Sequence, residues 1–254
     1  MVKIAATDWR EPDTPDGVPL LLTHGMGSEQ AHLGALVRRL APQFRVVTFD
    51  MRNHGDSDEG PWTWPDVFAD IAEVTERFGL DRPVIGGHSL GGMVGVLYAE
   101  AHGDRVRGVV NIDGHGVGRA DQYVGMTPEE VSDAMERMKE AERSISAAPK
   151  AAFEAMMPAV EALVMFDHYA NVTCPQLIFN AMGPHPMANA EGFAWMNDVM
   201  TAYRAGLARD FAALAAAHPS IEVETMPDAT HWLIFGDADA VADRITRFVS
   251  TLGN

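Results

Sequence analysis

The chain has 254 residues, 47% of them apolar, enough for one large α/β domain and too apolar for a disordered chain. The 19 basic and 36 acidic residues leave a net charge of −17, which argues against binding nucleic acid phosphates or an anionic membrane. One cysteine, Cys174, excludes an internal disulfide and reads as a small buried apolar residue in a reducing compartment.

The opening "MVKIAATDWREPD" has no apolar h-region, so no signal peptide is expected. No apolar run approaches the ~20 residues of a membrane span, so the expectation is a soluble, cytoplasmic protein. Short apolar runs then alternate with segments of helical period. Strands are expected at Pro19–Thr23, Arg45–Asp50, Pro83–Gly87, Arg107–Asp113, Gln176–Ala181 and Ile221–Met226. Most are continuous Val, Ile, Leu and Phe, the pattern of parallel strands buried on both faces. Helices are expected at Glu29–Ala41, Asp66–Phe78, Gly91–Ala101 and Asp237–Leu252. Alternation of this kind predicts a doubly wound, mostly parallel α/β sheet.

About sixty residues between Asp113 and Gln176 break the rhythm. Thr127 and Glu130 have the spacing of a capping box at the head of a helix. The stretch reads as a helical insertion over the C-terminal edge of the sheet, residues 117–171, with the core in 1–116 and 172–254. Its methionines (Met126, Met135, Met138, Met156, Met157, Met165) are either ordinary packing or the pliable wall of a pocket.

Gly87-His88-Ser89-Leu90-Gly91 matches G-x-S-x-G between a strand and a helix, the context of a nucleophile elbow. The flanking glycines leave room for a serine at unfavourable backbone angles, while Gly86 and Gly92 are expected to serve close packing. A serine is a poor nucleophile without a base, an orienting acid and oxyanion donors. His24-Gly25-Met26-Gly27 follows an early strand, so the backbone N–H groups of Met26 and Leu90 are the expected oxyanion hole. Of the ten histidines, His231 alone lies in a loop between the last strand and the last helix. His88 is expected to point away from the serine and serve structure.

His24-Gly25-Met26-Gly27, "DMRNHGDSD", "GGHSLGG" and the late His231 together resemble the α/β-hydrolase fold superfamily, in its serine-nucleophile branch with a small helical lid. The resemblance covers the element order along nearly the whole chain. It implies that Asp50, Arg52, Gly55 and Ser57 shape a loop beside the pocket. The family usually carries its acid after the strand that follows the lid, but "MGPHPMANAEGF" has no aspartate there. Some branches place it one strand earlier, which points to Asp113 as the acid. The alternatives are that Asp113 caps a turn, and that Glu191, Asp198 or no acid at all stands behind His231.

The expected function is a serine hydrolase that cleaves an ester, lactone or thioester of a small apolar substrate through an acyl-enzyme, with Ser89, His231 and Asp113. C–C bond hydrolysis, perhydrolysis or lyase chemistry on the same residues is the alternative, as is a non-catalytic small-molecule-binding protein. The pocket is expected to include His24, Gly25, Trp62, Trp195 and Trp232, though plain packing is an equal reading for each tryptophan. His115, His168 and His185 flank the insertion without metal-ligand spacing, so no metal and no cofactor is expected. The expected partner is a small-molecule substrate, with a homodimer left open.

Overall fold

In a computed structural model of the chain, residues 2–11, 13, 17–145, 150–185, 188 and 191–253 are described. A seven-stranded sheet runs in the order β1-β3-β2-β4-β5-β6-β7. Its strands are β1 (Ala6–Asp8), β2 (Leu20–Thr23), β3 (Val46–Phe49), β4 (Val84–His88), β5 (Gly108–Ile112), β6 (Gln176–Ala181) and β7 (Ile221–Met226). Only β1 is antiparallel to its neighbour; every other pair is parallel.

The six expected strands are present: β6 and β7 have the expected bounds, β2, β3 and β5 are a residue shorter at one or both ends, and β4 is shifted by one residue to include His88. β2 to β6 are buried along their whole length, which is why they read as unbroken apolar runs. Alternate residues still serve different faces. Leu21, Val47, Ile85 and Ile178 join one core with Val67, Ile71 and Val74 of α2 (Trp64–Arg77) and Val94 of α3 (Leu90–Ala101). Leu20, Leu22, Val46, Val110 and Phe179 join a second core. There they meet α1 (Gly34–Leu40) and α9 (Ala238–Thr251), through Leu36, Val37, Leu40, Val241, Ile245 and Phe248. A doubly wound sheet with two buried faces follows.

Two of the elements that the sequence reading did not expect are β1 and α7 (Trp195–Ala217). β1 has three half-buried residues on the sheet edge, too short and too polar to signal. α7 is a 23-residue helix rich in alanine. Elsewhere the starts differ by local capping. α2 begins at Trp64 rather than Asp66, because Thr63 accepts a hydrogen bond from the Asp66 amide at 3.2 Å and Pro65 fits the first turn. The expected Glu29–Ala41 helix is a 3-10 turn, Gln30–Leu33, followed by α1.

Between β5 and β6 the chain forms α4 (Pro128–Ile145), α5 (Lys150–Glu161) and α6 (Phe166–Tyr169). The capping box is made: Glu130 N–H donates to Thr127 Oγ1 at 3.3 Å, and Thr127 N–H to Glu130 Oε2 at 2.8 Å. An antiparallel bridge between Gly116 and Val164 draws the two ends of the stretch together. No helix among the described residues is long and apolar enough to cross a membrane.

Candidate active site

Ser89 sits between β4 and α3 with φ 52° and ψ −117°, a region costly for any residue with a side chain. Close packing holds it there. A Cβ on Gly87 would lie 1.9 Å from the Thr23 carbonyl oxygen of β2, and one on Gly86 1.8 Å from that of Val110 in β5. A Cβ on Gly91 would meet the Thr23 oxygen at 2.5 Å, and one on Gly92 the Asn111 side chain at 2.2 Å. Thus Gly87 and Gly91 clear β2 below the turn, while Gly86 and Gly92 serve packing against β5, as expected. The Ser89 amide donates to the Ile112 carbonyl at 2.9 Å, tying the turn to the neighbouring strand.

His231 lies after β7 and before α8 (Leu233–Gly236). Its Nε2 is 3.1 Å from Ser89 Oγ and its Nδ1 is 2.7 Å from Asp113 Oδ2. With Asp113 ionised, Nδ1 carries the proton and Nε2 accepts from the serine hydroxyl. His88 turns away from the serine, and its ring donates Nε2–H to the His231 carbonyl at 2.7 Å. The neighbour of Ser89 thereby ties down the His231 backbone. Burial, with the neighbouring His231 adding to it, pushes the His88 pKa down to about 3. Burial does the same to His24, also to about 3.

Asp113 immediately follows β5 with φ 58°. Its Oδ1 accepts the Ala181 N–H at 2.8 Å, and His115 Nε2 stands 3.3 Å from the same oxygen. Ala181 ends β6, so the strand that lacks an aspartate contributes its backbone amide to the carboxylate instead. Burial opposes ionisation of Asp113, but the nearby His115 ring and the hydrogen bond to His231 outweigh it and hold its pKa well below the usual range.

Ser89, Asp113 and His231 face one cavity of about 380 Å³ at the C-terminal ends of the strands. Met26 and Leu90 line it beside the serine. Met135 and Met138 of α4 and Met157 of α5 form part of its wall, while Met156 and Met165 are core residues. Met200, Tyr203, Arg204 and Leu207 come from α7.

The other expected pocket residues lie outside that lining. His24 is fully buried, accepting the Met51 N–H on Nε2 at 3.1 Å and donating Nδ1–H to the Gly25 carbonyl at 2.8 Å. Gly25 packs against His88 and Ser89, where an added Cβ would come within 3.2 Å of both. Trp62 is buried edge-on against His54 and Trp64, and Trp195 stacks under the Arg137 guanidinium. Trp232 is 50% exposed and faces outward although it follows His231. Ring size in the sequence reports burial tendency, not which side of a helix or loop meets the cavity.

The "DMRNHGDSD" loop forms a buried network. Arg52 donates to both carboxylate oxygens of Asp70, at 2.7 and 2.8 Å, and to the Pro61 and Asp66 carbonyls. Ser57 Oγ donates to the Asp50 carbonyl at 2.7 Å, and the Asp50 carboxylate accepts the Gln30 and Asp56 amides. Sequence reasoning missed His115 as a neighbour of Asp113 and the cavity face of α7. The apolar series Val199, Tyr203, Leu207, Phe211 at four-residue spacing was the available signal for that helix.

A profile described as "Alpha/beta hydrolase family" matches residues 20–244. Over 107 residues the chain is 35% identical to a proline iminopeptidase of Neisseria gonorrhoeae, covering 40% of this chain and 34% of that protein. Over 96 residues it is 31% identical to the esterase YbfF of Escherichia coli, covering 37% of this chain and 38% of that protein. The matched region thus spans well under half the length of these curated relatives. Among solved structures, a thermophilic esterase from Thermogutta terrifontis, malate bound, aligns over 100% of this chain and 95% of its own with a TM-score of 0.71 at 19% identity. The enol-lactonase from Burkholderia xenovorans LB400 aligns over 98% and 97% with a TM-score of 0.68, also at 19% identity. Sheet order, the strained serine turn and a profile match over most of the chain agree that this protein belongs to the alpha/beta hydrolase family.

Proposed function

We propose that the protein is a serine hydrolase cleaving a small ester, lactone or thioester through an acyl-enzyme. The observation that carries this reading is the continuous chain from Ser89 Oγ through His231 to Asp113, at 3.1 and 2.7 Å. Ser89 attacks the carbonyl carbon while His231 Nε2 takes its proton. Asp113 holds the tautomer and steadies the imidazolium. The Met26 and Leu90 amides hold the oxyanion, the latter at the head of α3, where the helix dipole favours negative charge. His231 then protonates the leaving group, and the acyl-enzyme is released by water with His231 as base again. α4 and α5 act as a lid, closing the cavity with methionines that adapt to different apolar acyl chains. Relatives named esterase and a neighbour named enol-lactonase are in keeping with this chemistry.

Labelling by a fluorophosphonate probe tests the reading, together with turnover of short p-nitrophenyl esters. Labelling is expected on the wild type and not on Ser89→Ala. No labelling and no turnover by the wild type would favour a binding protein that keeps the pocket.

A further inference from the structure

Among the described residues, one cation stands in the cavity without a partner. Arg204 lies on α7, beside Tyr203 and one turn from Met200 and Leu207, and all four line the cavity that Ser89 faces. It is 5% exposed, yet among the described residues no carboxylate lies within ion-pair distance and no group hydrogen-bonds to its guanidinium. The other deeply buried arginine shows what this chain ordinarily does. Arg52, 4% exposed, is saturated by Asp70 and two carbonyls. The Arg204 nitrogens are not among the buried unpaired polar atoms, so this guanidinium opens into the cavity with its hydrogen-bonding capacity unused, free to meet an anionic ligand there.

The remaining charges around the cavity do not fill that role. Lys139 and Glu161 pair with each other at 2.8 Å, and Glu136 is exposed. Asp113 is engaged by His231 and the Ala181 amide. His185, also lining the cavity, is pushed by burial down to about 4 and is neutral at pH 7. Burial lowers the Arg204 pKa as well, with Asp113 opposing it. Arg204 therefore brings into the cavity a positive charge that, among the described residues, has neither an ion-pair nor a hydrogen-bond partner, with Asp113 acting on it only at a distance. A planar guanidinium fork matches a carboxylate with two parallel hydrogen bonds.

We propose that Arg204 seats a free carboxylate on the substrate, so that the protein acts on half-esters or lactones of dicarboxylic acids rather than on uncharged esters. This deepens the serine hydrolase reading and rests on it for the reaction, but not for the binding site.

Two measurements test it. The first compares kcat/KM for mono-p-nitrophenyl glutarate with that for p-nitrophenyl valerate, which has the same chain length and no charge. The wild type is expected to prefer the glutarate. In Arg204→Met the ratio of the two should collapse by about 30-fold or more, mainly through KM for the charged ester, the size expected when one partner of a buried charge pair is removed. Arg204→Lys, which keeps the charge but not the fork, should fall between them. A wild type that hydrolyses both esters without preference, or a ratio unchanged in Arg204→Met, overturns the proposal and leaves the hydrolase reading standing. The second measurement is calorimetric binding of glutarate to Ser89→Ala, which needs no turnover. Binding that weakens at least about 30-fold on adding Arg204→Met supports the site even if no ester is cleaved. No binding by Ser89→Ala, or equal binding by both variants, overturns it.

Discussion

Two neutral histidines under the site make the fold sensitive to mild acid. His24 is 0% and His88 6% exposed, and burial pushes both down to about 3. In the unfolded chain each takes up its proton near pH 6.5. Their folded pKa lies below the unfolded one, so their contribution to stability is complete above about pH 6.5 and is lost as pH falls toward 3. Integrating from pH 7 to pH 5, each costs about 2 kcal/mol, so the pair costs about 4 kcal/mol, a large share of a typical folding free energy of roughly 5–15 kcal/mol. Urea unfolding at pH 7, 6, 5.5 and 5 measures it. The wild-type slope near pH 5.5 should reach at least about 2.5 kcal/mol per pH unit, with His54 and His185, also lowered by burial, adding to it. His88→Gln, which keeps a donor for the His231 carbonyl, should lower that slope by about 1.3 kcal/mol per pH unit. An unchanged slope in His88→Gln would mean that the imidazole titrates in the fold as it does in the free chain, and the argument from its burial would fail.

Asp113→Asn should lower kcat by about 10⁴-fold by analogy with other triads, with circular dichroism unchanged; turnover near wild type would remove Asp113 from the role of orienting acid. Gly87→Ala places a Cβ 1.9 Å from a backbone oxygen of β2, so it should lower the melting temperature sharply or prevent soluble expression, and wild-type thermal stability would refute the packing account. Arg52→Met leaves Asp70 charged and buried without its partner and should cost about 3 kcal/mol or more in urea unfolding; a change below about 1 kcal/mol would show that the pair contributes little.

Asp113 is where sequence and structure met most usefully. The absence of an aspartate after β6 and the Ile-Asp-Gly end of β5 were visible in the residues. That Ala181 donates its amide to Asp113, and that His115 approaches the same oxygen, depends on the parallel register of β5 and β6, with Ile112 beside Phe179. The insertion divides in the same way. Its helical character followed from spacing and the Thr127 cap, but which methionines face the cavity and which fill the core depends on how α4 and α5 lie over the sheet. The tryptophans failed as pocket markers for this reason: a large ring must be covered by something, and its sequence neighbours do not say by what.

The sequence by itself determined six of the seven strands, the mostly parallel arrangement, the serine turn and the late histidine. Each of these is a local matter, set by runs of apolar side chains, by glycines where backbones must touch, and by chain order. Only the tertiary structure decided that His88 clamps the His231 carbonyl, that α7 forms one wall of the cavity, and that Arg204 stands there with no partner among the described residues. Those facts join residues up to 143 positions apart, and no local pattern encodes a contact at that separation.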